Sequence, residues 1–175
     1  MYAKISNEFI DCTQNFFQFN SGIVVDKYYS QVRKGGSAFM LIKDTEKFWS
    51  YTQNIFSIKP SVRFAIFTGQ GLITPHTDGG NDSVALNFYL QTNNQDSTIF
   101  YEKKDESIKP YPKTNSYNVN DLVEISSFKA EKFDTYLVNV QKIHGIQKNN
   151  SEDRVMISFR WRLPYTFDQI FNSLK

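Results

Sequence analysis

The stretch "ITPHTDGG", residues 73–80, holds His76 and Asp78 two positions apart, between a proline and a glycine pair. In extended backbone, residues i and i+2 point to the same face. An imidazole and a carboxylate are then offered side by side and can occupy adjacent positions on a divalent transition metal. The second of the chain's two histidines, His144 in "KIHGIQK", follows Asp78 by 66 residues. Two imidazoles and one carboxylate close one face of an octahedron and leave the opposite positions open. Ten residues beyond His144 stands Arg154, the first residue of "RVMISFRWRL". Strand parity puts Arg154, Met156, Ser158 and Arg160 on one face and Val155, Ile157, Phe159 and Trp161 on the other. A guanidinium aimed into a core is costly unless it meets an anion, and its planar fork suits a carboxylate. Ser158 adds a hydroxyl to the same face.

The elements that must position these residues read almost wholly as β. Phe and Tyr are abundant, with 16 and 10 copies, and Gly is sparse, with 8, which favours strands over helices. "FFQFN", "GIVVDKYY" and "AFMLI" read as early strands. Phe48, Tyr51, Ile55 and Phe56 recur at helical spacing behind Asp44, a fair N-cap, so Asp44–Ser57 reads as a helix stopped by Lys59-Pro60. Strands follow at "VRFAIFTG", "LITPHTD", "SVALNFYLQ", "STIFYEK", "LVEISSF", "TYLVNV", "IHGIQ" and "RVMISFRWRL", separated by turns rich in Gly, Asn, Asp and Ser. "TFDQIFNSLK" reads as a short C-terminal helix. Without βαβ alternation, the pattern predicts a mainly β, jelly-roll or cupin-like barrel with one or two flanking helices. One domain is expected over residues 1–175: a barrel core at 62–163, with strands and a helix from 1–61 packed on it. Two polar stretches, residues 33–38 and 102–121, read as mobile loops that a binding site can use as lids.

At 175 residues the chain is long enough to bury a core. Its 20 basic and 18 acidic residues are interspersed, which argues against nucleic acid as a partner. One cysteine, Cys12, excludes an internal disulfide framework and fits a reducing compartment. The N-terminal residues lack the apolar run of a signal peptide, and no stretch has the length to span a bilayer, so a cytoplasmic protein is expected.

With these residues in view, the sequence resembles the Fe(II)- and 2-oxoglutarate-dependent oxygenases. Their pattern is HxD, a distant His, and a basic residue on the following strand; here it reads "PHTD", "IHG" and Arg154. The resemblance covers Val62 to Leu163 and implies a double-stranded β-helix. It implies His76, Asp78 and His144 as Fe(II) ligands and Arg154 as the clamp on the far carboxylate of 2-oxoglutarate. Ser158 and Asn87 are expected as further contacts to that co-substrate, and Tyr89, Tyr101 and Arg160 as residues lining the substrate side. The implied partners are O2 and a substrate, a peptidyl residue such as prolyl or a small molecule, that becomes hydroxylated. Three comparisons narrow the type. Asp78 is retained, unlike in the halogenating relatives; Arg154 stands where collagen-type prolyl hydroxylases use Lys; and Met156 stands where the family often has Ser. Two other readings use the same residues: a cupin-like metalloenzyme without 2-oxoglutarate, and a non-enzymatic jelly-roll binding module.

Overall fold

The computed structural model describes residues 1–5, 37–41, 56–67, 71–149 and 152–174. Among the described residues, ten strands run in chain order: β1 (Tyr2–Ile5), β2 (Ser37–Leu41), β3 (Ser61–Phe67), β4 (Gly71–His76), β5 (Asp82–Gln91), β6 (Ser97–Lys103), β7 (Leu122–Lys129), β8 (Thr135–Asn139), β9 (His144–Lys148) and β10 (Arg154–Arg162). They form two antiparallel sheets, β1-β8-β5-β10-β3-β2 and β4-β9-β6-β7, in a mainly β jelly-roll fold. A short helix, α1 (Phe167–Ser173), follows. Thr166 caps it, and Gln169 completes a reciprocal capping box.

The large sheet is covered on both faces, which explains why β5 is buried at eight successive positions instead of alternating. Between the sheets lie Ala85, Tyr89, Phe100, Tyr136, Val138, Ile146 and Met156. On the outer face of the large sheet lie Leu86, Phe88, Val155, Ile157, Phe159 and Trp161, packed by Phe56 and by Ile170 of α1. Trp161 also donates its Nε1–H to the Ile58 carbonyl at 2.8 Å, which fixes this outer layer to β10. The parity of β10 therefore separates two cores. Arg154, Met156, Ser158 and Arg160 turn inward, and their neighbours pack outward.

Several expected boundaries differ. β4 ends at His76, so Asp78 lies just beyond the strand rather than within it. Asp44–Ile55 of the expected helix, like "FFQFN" and "GIVVDKYY", lies outside the described residues. Phe56 and Ser57, the helix's expected last turn, instead form a bridge to Leu174 and a bend. Of the expected loop at 33–38, Ser37 and Ala38 belong to β2. Within 102–121, Glu102 and Lys103 end β6 and Val119–Asp121 form a 3-10 turn. Ser116 bridges to His76, so this excursion is tied to β4 rather than hanging free. Among the described residues, no helix is long and apolar enough to cross a membrane.

Candidate metal centre

His76 and His144 are directly opposed across the β4–β9 pair. Two local features make that pairing close. Pro75 has no N–H to give the ladder, and the register slips between Ile73 and His76. Gly145 then lets the backbones touch: a Cβ there would lie 2.8 Å from the Ile73 carbonyl oxygen. Asp78 is held beside them by backbone bonds. Its own N–H donates to the Val140 carbonyl at 3.0 Å, and the Thr77 N–H donates to the Asn115 carbonyl at 3.1 Å.

The three side chains converge. Oδ1 of Asp78 stands 3.4 Å from Nε2 of His76 and 3.7 Å from Nε2 of His144, and one ligand atom from each lies within 4.8 Å of the others. A metal with ~2.1 Å bonds at right angles spaces its donors about 3 Å apart, so small shifts complete such a face. Each imidazole is fixed the same way. Nδ1–H of His76 donates to the Thr74 carbonyl at 2.8 Å, and Nδ1–H of His144 to the Lys142 carbonyl at 2.9 Å. With Nδ1 carrying the proton, each Nε2 presents a lone pair to the common point. Burial, followed by the neighbouring His76, pushes His144 down to about 4. Burial also lowers His76, with Arg160 adding to the effect. Both rings are therefore neutral near pH 7, the form that binds a metal. The donor set fits a divalent transition ion.

These ligands line one narrow cavity between the sheets, about 40 Å3 in volume, whose wall includes Asn87, Tyr89, Thr98 and Met156. Arg154 lies against that wall, 1% exposed. Its Nη2 donates to the Tyr89 hydroxyl at 2.9 Å and to the Thr98 hydroxyl at 2.8 Å, and its guanidinium lies over the Tyr89 ring, 4.7 Å from the centroid. Among the described residues, its Nε and Nη1 have no hydrogen-bond partner. A buried cation with two unanswered donors is several kcal/mol out of balance, of order 3–5, until an anion meets it. Each unanswered donor can still give a charge-assisted hydrogen bond to an anion, so the residues fit an acidic co-substrate as well as a metal. Both ends of the segment between β9 and β10 are tied down as well: Lys148 pairs with fully buried Asp96 at 2.9 Å and donates to the Glu152 carbonyl, and the Asn149 N–H donates to the Asp96 carboxylate at 3.0 Å.

The other expected site residues fall in different places. Tyr89 faces the cavity but its hydroxyl serves Arg154. Asn87 also lines it, and the Ser158 hydroxyl donates to Asn87 Oδ1 at 2.7 Å from behind. Arg160 is bound to Asp78 through Nη1 and Oδ2. Tyr101 is not brought to the triad. It follows the irregularity between Phe100 and Tyr101 and packs with Tyr117, Leu122 and Ile143. There it borders a separate surface depression of about 330 Å3, and burial raises its phenol. Thr98 was missed by the motif reading, although it shares the inward parity of Phe100 in β6. The Thr74 and Lys142 carbonyls carry no side-chain signature at all.

No family model matches the sequence, and no curated protein matches it. Among solved structures, the chain is similar to a Trichoplax adhaerens prolyl hydroxylase in complex with a hypoxia inducible factor peptide fragment, at 14% identity and a TM-score of 0.51, over 99% of this chain and 87% of that one. It is similar to HygX from Streptomyces hygroscopicus, with nickel and 2-oxoglutarate bound, at 11% identity and a TM-score of 0.53, over 94% and 84%. It is also similar to SnoN, a non-heme alpha ketoglutarate dependent epimerase, at 9% identity and a TM-score of 0.55, over 92% and 76%. At these identities the likeness is one of fold: the chain has a barrel that 2-oxoglutarate-dependent enzymes share.

Proposed function

We propose that the chain is a non-haem Fe(II)- and 2-oxoglutarate-dependent oxygenase that hydroxylates a substrate with O2. The observation that carries this reading is the combination of the His76–Asp78–His144 triad with a buried guanidinium, at Arg154, whose Nε and Nη1 are unanswered beside the same cavity. A zinc hydrolase or a cupin-type site needs the first feature and has no use for the second.

His76, Asp78 and His144 would hold the ion, and Arg154 would take the far carboxylate of 2-oxoglutarate. Bound there, the ion and co-substrate supply the oxidising power for C–H hydroxylation, with 2-oxoglutarate leaving as succinate and CO2. The chain's own part is positioning. Tyr89 and Thr98 fix the direction of the Arg154 fork, the two backbone carbonyls keep both Nε2 atoms unprotonated, and the apolar wall at Val138, Ile146 and Met156 limits water. The structure of the Trichoplax enzyme holds a peptide fragment, and one of HygX holds hygromycin B. Peptide and small-molecule substrates are thus both compatible with this barrel.

The test is an anaerobic titration of the metal-free protein with Fe(II), then with 2-oxoglutarate. A weak visible charge-transfer band should appear only after both are added. Arg154→Met should still take up iron but give no band at the 2-oxoglutarate concentration that saturates the wild type. Iron uptake without a band in the wild type would remove 2-oxoglutarate from the reading.

A further inference from the structure

The inner face of β10 carries a second guanidinium, and its bonds form one continuous chain. Nη1 of Arg160 contacts Oδ2 of Asp78. Nε of Arg160 donates to the Ser158 hydroxyl at 2.7 Å, and that hydroxyl donates to Oδ1 of Asn87 at 2.7 Å. Arg160, Ser158 and Asn87 are all buried. Ser158 has a single hydroxyl proton, which goes to Asn87, so its oxygen is left to accept from Arg160. The register explains the alignment: Ser158 is paired with Asn87 across β10 and β5, and Arg160 with Ala85, whose methyl leaves room for the guanidinium.

The consequence falls on Asp78. Its Oδ2 is engaged by a cation anchored to the sheet, whereas Oδ1 is the oxygen nearest both Nε2 atoms. We propose that Arg160, set in place by Ser158 and Asn87, is a positioning residue that restricts Asp78 to binding the metal through Oδ1 alone. The inference rests on the metal-site reading above. A carboxylate free to turn can chelate an ion through both oxygens and occupy an additional coordination position. Holding Oδ2 away keeps that position available to incoming ligands. Asn87 and Ser158 thus serve the aspartate ligand, and the anion end of the cavity belongs to Arg154.

The probe is Mn(II) alone, added to the full chain, with the waters on the bound ion counted from line broadening in 17O-enriched water by electron paramagnetic resonance. Arg160→Met should bind Mn(II) with one water fewer than the wild type, because Asp78 then supplies both oxygens. Arg160→Lys, whose long chain keeps an N–H donor for Oδ2, should retain the wild-type count. That separates loss of the contact from any other effect of replacing the side chain. If Arg160→Met does not fold, Ser158→Ala loosens the same chain one link back and should give a mixture of the two counts. A wild-type count in Arg160→Met, or in Ser158→Ala where that variant must stand in, overturns the proposal. A wild type that takes up no Mn(II) overturns the metal reading itself, a result the water count cannot be confused with.

Discussion

Arg154 and Arg160 share one strand face, yet their partners make them different chemical objects. Arg160 is answered by a carboxylate and a hydroxyl, so its charge is spent inside the protein. Arg154 is answered only on Nη2, by two neutral hydroxyls, and keeps its charge for a ligand. The two hydroxyls do not neutralise it; they aim it. Thr98→Val removes one of them while preserving shape, and a hydrogen bond to a charged group is worth roughly 1.5–3 kcal/mol. We expect Thr98→Val to weaken 2-oxoglutarate binding about tenfold, measured calorimetrically with Mn(II) present, and to leave Mn(II) affinity unchanged. Equal losses for both ligands would mean that Thr98 supports the barrel rather than the arginine. The same contrast shows what residue types alone disclose. The spacing from His144 to Arg154 was readable because they open two strands that are consecutive in the chain. The Arg160–Asp78 contact, between residues 82 apart, was not, and Arg160 read as a substrate-side residue.

At the scale of elements, the site depends on how closely β4 and β9 approach. The two histidines are cross-strand partners, so the spacing of their rings, 4.7 Å between centroids, is set by the backbones beneath them. Gly145 is the point of closest approach, and the atom that would oppose a new Cβ is a carbonyl oxygen of β4, not a yielding side chain. On its other edge β4 is splinted: the Tyr117 N–H donates to the Pro75 carbonyl at 2.7 Å, and Asn115 accepts from Thr77. β4 is thus gripped from both sides and cannot simply drift away. Gly145→Ala should cost about 1–3 kcal/mol, as overpacking does in a filled core. It should also weaken Mn(II) binding more than the fall in stability explains, because it separates the ligands directly. Thermal melts and Mn(II) titrations on one sample decide this; a stability loss with unchanged metal affinity would show that the pair tolerates a wider joint. None of this grip was legible beforehand. Residues 102–121 look polar and aperiodic in sequence, and only backbone hydrogen bonds convert their last part into a support for a ligand strand.

At the scale of the molecule, the two larger buried clusters of the described residues lie on opposite faces of one sheet, and β10 belongs to both. Its alternation was legible because "RVMISFRWR" interleaves polar or flexible residues with large apolar ones, and the structure keeps that parity along the whole strand. The irregularities were not legible. The shift between Val155 and Met156 and the slip at Pro75 depend on pairing, which a single strand's sequence does not carry. The division into two cores makes a joint prediction for two adjacent residues. Ile157 is fully buried in the outer core, away from the cavity, so Ile157→Val should lower stability by about 0.5–1.5 kcal/mol and leave both ligand affinities unchanged. Met156, one residue earlier, forms part of the cavity wall. The cavity measures about 40 Å3, so how far its wall yields decides how readily a five-carbon diacid fits. An unbranched thioether is the side chain on that wall best able to yield. Met156→Phe replaces it with a rigid ring, and should lower 2-oxoglutarate affinity at least tenfold while Mn(II) still binds. Urea denaturation and calorimetry on the two variants should therefore give opposite profiles, stability without ligand effect for one and ligand effect without loss of metal for the other. Matching profiles would mean that the sheet does not insulate the outer core from the cavity, and that the strand's parity organises packing without dividing structure from function.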